Sequence, residues 1–211
     1  TLLSDVALRA GPGESVLVVD RLSTGFEWAV APEARLVKGE LGEDAFRESL
    51  FAKGDIEAII HFAGSIIVPE SVADPLGYYA NNPCVSRALI ESAVRHGVRN
   101  FIFSSTAAVY GSAGSAPVSE ETILLPESPS GGSKLMTETM LADTAAAFDF
   151  RYTALRYFNV SGADPNGRTG QSTKGATHLI KVASETALGK RPAMQVFGTD
   201  YDTPDGTCLR D

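Results

Sequence analysis

The feature that most constrains the fold is an almost wholly apolar run, IEAIIHFAG, at residues 56–64. It predicts a β-strand covered on both faces, because a half-exposed strand would alternate apolar with polar residues. Similar short runs alternate along the chain with segments of helical periodicity, which predicts an α/β protein with an open parallel sheet and helices on both faces. Predicted strands occupy 15–20, 34–39, 152–160 and 194–198, with a strand running into a polar turn at 100–111; predicted helices occupy 43–54, 85–97, 133–148 and 176–190.

The composition argues against several classes of function. The 211-residue chain has a formal net charge of −8 and no basic stripe that would bind nucleic acid. Its 2 cysteines make no disulfide framework, and its 3 histidines lack metal-ligand spacing. No apolar run is long enough to span a membrane, and the N-terminus lacks the layout of a signal peptide. We therefore expect a soluble cytoplasmic protein with no metal site.

Asp20 ends the first predicted strand and is followed by Arg21. An acid in this place in a dinucleotide-binding fold accepts hydrogen bonds from the adenosine ribose. Taken alone, Asp20 is better explained as a turn or capping aspartate, and Arg21 leaves the choice between NAD and NADP open.

The glycine-rich loop that should precede such an acid is absent. GPGES, at 11–15, lacks the third glycine of G-x-G-x-x-G and opens no helix. Residues 1–11 instead have the pattern of the helix that follows that loop. We therefore expect the first strand and the loop to be missing, and the chain to be truncated at both ends.

Two further residues near strand ends carry candidate chemistry. Thr106 follows two serines at the end of a strand, where its hydroxyl would bond a substrate hydroxyl or cap its own turn. Lys134 lies on the first turn of a predicted helix, where the helix dipole slightly disfavours a cation. A lysine there either extends into solvent, which is the favoured interpretation for Lys134 alone, or is held for a purpose.

Ordered sequence blocks that cover essentially the whole chain carry a family resemblance. They are VLVVDRLSTG, IIHFAGSIIVPESVADPLGYYANN, NFIFSSTAAVYG, SKLMTE, LRYFNVSGADP, THLIKVASETALGKRP and VFGTDYDTPDGTCLRD. With these blocks the chain resembles the extended short-chain dehydrogenase/reductase family, and within it the UDP-glucose (UDP-galactose) 4-epimerases. The resemblance implies a Rossmann-like, doubly wound parallel sheet. Residues 1–160 would form the NAD-binding domain, without its first strand and glycine loop, and residues 161–211 the start of the UDP-sugar-binding region.

The resemblance also implies a reaction. NAD would take a hydride from C4 of a UDP-hexose, the 4-ketose would turn over, and the hydride would return to its other face, which interconverts UDP-glucose and UDP-galactose. By analogy with relatives, the protein would be a homodimer. Implied NAD contacts are Asp20, Glu40, Leu41, Phe62, Ala63, Asn82, Lys134, Tyr157 and Phe158, and implied substrate contacts are Thr106, Asn159, His178, Phe197 and Arg210.

The chain departs from the family in the catalytic set, which would comprise Thr106, residue 130 and Lys134. The family has a Tyr-x-x-x-Lys pair, but Ser130 stands where the tyrosine would be. A serine hydroxyl is a far weaker acid than a phenol, whose reference pKa is about 10. General acid–base catalysis is worth about 10²–10⁴-fold in rate, so we expect impaired activity. Natural divergence and an engineered replacement explain the serine equally well.

Other functions remain open at this point. The chain would also fit a catalytically silent remnant that binds NAD or a nucleotide sugar, or an epimerase for UDP-glucuronate or a UDP-N-acetylhexosamine. A dehydratase fits less well, because no acidic pair follows the Ser-Ser-Thr turn. The missing first strand would be central in a 3-2-1-4-5-6 sheet, so we expect the isolated chain to be unstable.

Overall fold

The structure is a computed structural model that describes residues 15–208 except 53, 55, 113, 115, 116, 174 and 176. The chain divides into two compact units. The first consists of residues 1–38 and 159–211, and the second of residues 39–158. The sequence prediction that divides the chain at residue 160 stays a prediction. The predicted helix at 1–11 and the GPGES segment lie outside the described residues, apart from Ser15.

The regular elements alternate as predicted. The strands are β1 (Leu17–Asp20), β2 (Arg35–Lys38), β3 (Ala58–His61), β4 (Asn100–Ser104) and β5 (Arg151–Leu155). The α-helices are α1 (Asp44–Phe51), α2 (Val68–Ala73), α3 (Pro75–Tyr79), α4 (Val85–Arg95), α5 (Pro129–Ala147) and α6 (Leu179–Ala187). A π-helical turn, Ala80–Cys84, leads into α4, and a 3-10 turn, Ala107–Tyr110, follows β4.

Among the described residues every strand pair is parallel, which confirms the predicted α/β class. In the first unit β1 pairs with β2, with Leu17 opposite Arg35. In the second unit the strand order is β3-β4-β5, with Ile60 opposite Ile102. Parallel register brings the carboxyl ends of β3, β4 and β5 to one edge, where α/β proteins bind their ligands.

The core of the second unit includes one face of β4. Phe101 and Phe103 are buried, as are Ala93 of α4 and Leu141 of α5. The pairing of β4 with a strand on each side and its apolar sequence explain why its side chains are withdrawn from water. This packing fixes α5 against the strand that ends in Ser104.

Two segments differ from the sequence prediction. The strand predicted at 194–198 is wrong: these residues are irregular in the structure and pair with no other described residues. Phe197 is 82% exposed, so its apolar character does not mark a sheet. The pattern also missed α2 and α3; Pro69 and Pro75 lie in the first turns of these helices, where proline is tolerated. No described helix is long and apolar enough to cross a membrane.

Candidate active site

Helix α5 turns a polar face toward the interior. Ser128 caps its start, with the side chain accepting a hydrogen bond from the Gly131 amide at 3.2 Å, and Pro129 follows in the first turn. Buried polar groups need hydrogen-bond partners. A helix face made of them therefore indicates a functional site more than a surface for core packing. The buried residues of α5 are Ser130, Gly131, Ser133, Lys134, Thr137, Glu138 and Leu141, and most of them recur at helical spacing.

Lys134 is the charged group at the centre of this face. It is 5% exposed, and its Nζ donates a hydrogen bond to the carbonyl oxygen of Ser104 at 2.8 Å. The same Nζ lies 4.9 Å from the centroid of the Phe103 ring, where a cation is attracted by the ring face. Burial lowers the pKa of Lys134 to about 8. The solvent-facing interpretation of this lysine is therefore wrong, because its side chain follows the polar face inward to the end of β4.

The loop after β3 approaches Lys134 closely. Gly64 has φ of +153°, a conformation that favours glycine. A Cβ at Gly64 would lie 3.0 Å from Asn82 Oδ1 and 3.7 Å from Lys134 Nζ. The loop is therefore packed closely against Asn82 and Lys134, and a side chain at residue 64 would crowd Asn82. Phe62 and Ala63, which were predicted to line the cofactor, precede Gly64 in the same loop. Phe62 is partly buried and Ala63 is exposed.

Asn82 fixes the backbone of this loop. Its Oδ1 accepts from the Ser65 amide at 2.7 Å, and its Nδ2 donates to the Ser65 carbonyl at 3.0 Å. Nδ2 also donates to Ser133 Oγ on α5 at 3.0 Å. Asn82 therefore ties the loop after β3 to the helix that carries Lys134. Its predicted contact with the cofactor is untested by these bonds.

The turn after β4 holds the predicted substrate-binding hydroxyl. Thr106 Oγ1 accepts a hydrogen bond from the Ala108 amide at 3.2 Å, so it caps the turn that follows. Ser104 Oγ and Tyr157 Oη lie 2.5 Å apart, which joins the ends of β4 and β5. Thr106 is partly exposed, and its role toward a sugar stays a prediction.

Ser130 is buried, with 7% of its surface exposed. It lies against Tyr78, whose Oη donates to the Ile67 carbonyl at 2.9 Å. Burial raises the pKa of the Tyr78 phenol, and the Ser130 hydroxyl partly opposes that rise. The residue at the position predicted to correspond to the family tyrosine is thus a short, enclosed hydroxyl.

His61 lies at the end of β3 and is buried. Its Nε2 lies 2.9 Å from Ser86 Oγ, and its ring stacks on Phe103 at 5.8 Å between centroids. Burial, with a smaller contribution from the positive charge of Lys134, lowers the pKa of His61 to about 3. A neutral imidazole is therefore expected across the physiological pH range.

The remaining predicted NAD contacts lie elsewhere in the two units. In the second unit Leu41 is fixed through its carbonyl, which accepts from Arg47 Nη1 at 2.9 Å, and Glu40 Oε1 lies 3.5 Å from the Gly42 amide. Phe158 is exposed. In the first unit Asp20 Oδ1 accepts from the Leu22 amide at 2.6 Å, as a turn aspartate does.

The predicted substrate contacts in the first unit have their own surroundings. His178 precedes α6, and its Nδ1 lies 3.3 Å from Gln171 Nε2. Asn159 and Phe197 are exposed. Arg210 lies outside the described residues. Among the described residues, no group of three or more His, Cys, Asp or Glu side chains is placed to hold a metal ion.

Comparison with known proteins decides the family. The model of the NAD dependent epimerase/dehydratase family matches residues 2–211. The chain belongs to this family. The sequence blocks that carried the resemblance therefore identified the family correctly. The α/β fold that they implied is also confirmed.

Several epimerases are similar to this member of the family. A UDP-glucose 4-epimerase of Azospirillum brasilense is 51% identical over 199 residues, which are 94% of this chain and 57% of the relative. The crystal structure of UDP-glucose 4-epimerase from Brucella ovis in complex with NAD has a TM-score of 0.88 and 42% identity, covering 96% of this chain and 62% of that one. The UDP-Glc/GlcNAc 4-epimerase of Campylobacter jejuni has a TM-score of 0.78 and 42% identity, covering 98% and 64%. The chain thus spans less than two thirds of each of these proteins.

Proposed function

We propose that the chain is the NAD-binding part of an epimerase that interconverts UDP-glucose and UDP-galactose, with activity reduced by Ser130. The observation that carries the proposal is the buried Lys134 ammonium at the end of β4. Its Nζ donates to the Ser104 carbonyl and would lie 3.7 Å from a Cβ at Gly64, so the loop after β3 approaches it closely. The similarity to UDP-glucose 4-epimerases supports the choice of reaction.

The residues around Lys134 fit a pyridine nucleotide. An ammonium group has three donors, and hydrogen bonds from a charged donor to ribose hydroxyls are strong. Because Gly64 is exposed and has no side chain, a bound cofactor would approach the loop backbone closely there. Bound NAD would supply the hydride acceptor and donor at C4 of the hexose. In this proposal Lys134 holds the nicotinamide ribose and Thr106 orients the sugar.

The proposal assigns the other residues by family position. Asp20, Glu40 and Leu41 would hold the adenosine, and Arg21 keeps NADP open as an alternative cofactor. Remaining cofactor contacts would be Phe62, Ala63, Asn82, Tyr157 and Phe158; remaining substrate contacts would be Asn159, His178, Phe197 and Arg210.

Ser130 would limit the proton transfer at the sugar 4-hydroxyl. Its side chain is shorter than the tyrosine it replaces and has no accessible ionised form near neutral pH. The neighbouring Lys134, with its pKa of about 8, would lower the pKa of a phenol at residue 130 through its positive charge. The lysine half of the catalytic pair is thus retained without the group on which it acts.

A second candidate is an epimerase for a UDP-N-acetylhexosamine. The similarity to the Campylobacter jejuni UDP-Glc/GlcNAc 4-epimerase, at 42% identity, supports it. UDP-glucuronate is a further candidate substrate. We also propose a cytoplasmic homodimer, with residues 1–160 as the NAD-binding domain and residues 161–211 as the start of the UDP-sugar-binding region.

The proposal is tested with a chimera, defined as the Azospirillum brasilense relative in which this chain replaces the matching segment. NAD released by denaturing the purified chimera is measured, and turnover of UDP-galactose, UDP-N-acetylglucosamine and UDP-glucuronate is compared in the Ser130→Tyr variant. We expect retained NAD and fastest turnover of UDP-galactose. Retained NAD without turnover of any sugar would favour the silent binding protein, and absence of both would overturn the proposal.

A further inference from the structure

Glu138 lies one helical turn after Lys134 on the buried face of α5. Its carboxylate, 7% exposed, accepts a hydrogen bond from Ser105 Oγ. It also accepts from Arg156, with Nε 3.1 and 3.0 Å from its two oxygens and Nη2 2.6 Å from Oε2. Both oxygens are thus engaged by a guanidinium from the residue that follows β5, and one of them is shared with the turn after β4.

Arg156 connects this carboxylate to the rest of the turn. Its Nη1 donates to Tyr110 Oη at 3.2 Å and to the Glu120 carbonyl at 3.4 Å. The guanidinium carbon lies 5.3 Å from the centroid of the Tyr110 ring. Hydrogen bonds to Glu138 raise the pKa of Arg156, so its charge is permanent. The 3-10 turn that begins after Thr106 is therefore held at its far end by the same network.

The last residue of β4 and the residue after it are held by two residues of α5 that lie one helical turn apart. Lys134 binds the Ser104 carbonyl, and Glu138 binds the Ser105 hydroxyl. The next residue is Thr106, the proposed sugar contact. A well-packed apolar pair often stabilises a core as well as a buried ion pair does, so stability alone explains this arrangement poorly.

We propose that Glu138, oriented by Arg156, is a positioning residue that fixes the Ser104–Thr106 turn and thereby sets the location of the Thr106 hydroxyl. The inference rests on the proposed function, since it assigns Glu138 an effect on the reaction exerted through Thr106. It adds a residue outside the Tyr-x-x-x-Lys pair to those that control turnover. Small displacements of a reacting group are costly, because a shift of about 1 Å reduces rates by as much as about 10²-fold.

Ser105→Ala is the cleanest test, since it removes the link between turn and carboxylate and leaves the Glu138–Arg156 ion pair intact. It is made in the chimera that carries Ser130→Tyr, alone and together with Thr106→Ala. We expect Ser105→Ala to lower kcat by about 10-fold, within the range for a misplaced group. UDP affinity, measured by calorimetry, should stay unchanged. With Thr106 already replaced, Ser105→Ala should have almost no further effect, as coupled residues show.

A matched control is Ser71→Ala. Ser71 is also a buried serine, but its Oγ donates to the Val68 carbonyl within its own helix. This variant should keep full kcat. If the losses from Ser105→Ala and Thr106→Ala were independent, or if Ser71→Ala lowered kcat equally, the positioning role would be wrong.

A second measurement does not depend on turnover. Amide hydrogen exchange of residues 104–108 is compared in the chimera and in its Ser105→Ala and Glu138→Gln variants. Ser105→Ala should speed exchange in this segment, and Glu138→Gln, which keeps an oxygen acceptor for Ser105, should do so less. Unchanged exchange in Ser105→Ala would show that Glu138 does not fix this segment, even if the chimera proved inactive. Faster exchange in Ser105→Ala in an inactive chimera would overturn only the proposed function.

Discussion

Lys134 Nζ donates a hydrogen bond to the Ser104 carbonyl at 2.8 Å, which joins the first part of α5 to the carboxyl end of β4. The bond holds a cation in a buried place at the edge of the sheet where a ligand would bind. Burial disfavours the charged form, which explains why the pKa of Lys134 falls to about 8. The buried ammonium group therefore lowers the free energy of unfolding, as is common for residues that serve a function.

Lys134→Met should therefore stabilise the chimera at pH 7 once bound NAD has been removed. Lowering the lysine pKa from 10.5 to about 8 corresponds to about 3 kcal/mol. Between those pH values the unfolded chain binds the proton and the folded chain does not, so the free energy of unfolding of the parent rises with pH. The advantage of the variant should be about 1–3 kcal/mol at pH 7, after loss of the Ser104 bond. It should shrink as the pH approaches 10.5.

Urea unfolding at pH 7 and pH 9.5 measures this difference. Lys190→Met serves as the control, because Lys190 is exposed and its replacement should give no comparable gain. A destabilised Lys134→Met at pH 7, or a gain that grows with pH, would contradict the interpretation.

His61 should make the protein sensitive to acid. The pKa of its folded form, about 3, lies below the reference value of 6.5, so the unfolded chain binds the proton first as the pH falls. Stability is fully present above pH 6.5 and decreases toward pH 3. Between pH 6.5 and 5, His61 should account for a loss of about 2 kcal/mol. His61→Gln, which keeps a hydrogen-bonding group for Ser86, should show a shallower decrease in unfolding free energies over this range; equal slopes would refute the assignment.

The sequence predicted the sheet better than the site. The run at 56–64 became β3 (Ala58–His61), and the pattern at 133–148 became most of α5. Both signals depend on local periodicity, which a single sequence contains. The apolar residues at 194–198 carried the same signal but formed no strand, since a strand also requires a partner that periodicity does not specify.

The hydrogen bonds around Lys134 could not be predicted from local sequence patterns. A lysine near a helix start is most simply assigned to solvent, and only the tertiary contact with Ser104 shows it to be buried. One clue was present and missed: polar residues recur at helical spacing along α5, from Ser130 through Ser133 and Thr137. Glu138, four residues after Lys134, belongs to the same face. Its partner Arg156 comes from another strand end, and no spacing in the sequence connects them.

Asn82→Ala should weaken the loop that approaches Lys134. The change removes two bonds to the Ser65 backbone and one to Ser133, and it leaves backbone groups without their partner. We expect a loss of about 2–3 kcal/mol in unfolding free energy together with weaker NAD retention. Asn81→Ala is the matched control, since Asn81 Nδ2 donates to the Ser65 side chain and, at 3.5 Å, to Asn82 Oδ1, and its loss leaves the bonds from Asn82 to the Ser65 backbone in place. Equal effects of the two variants would show that the backbone bonds are unimportant.

Ser130→Tyr should restore turnover, and Ser130→Phe should not. The two replacements bring nearly the same ring against Tyr78 and α3, so any steric effect on folding is shared between them. Only tyrosine adds a phenol for the Lys134 ammonium to bring toward its ionised form. We expect kcat of the chimera for UDP-galactose to rise by about 10²–10⁴-fold with tyrosine and to stay at the serine level with phenylalanine. If both aromatic variants gave the same rate, residue 130 would not carry the proton, and the retained lysine would need another explanation.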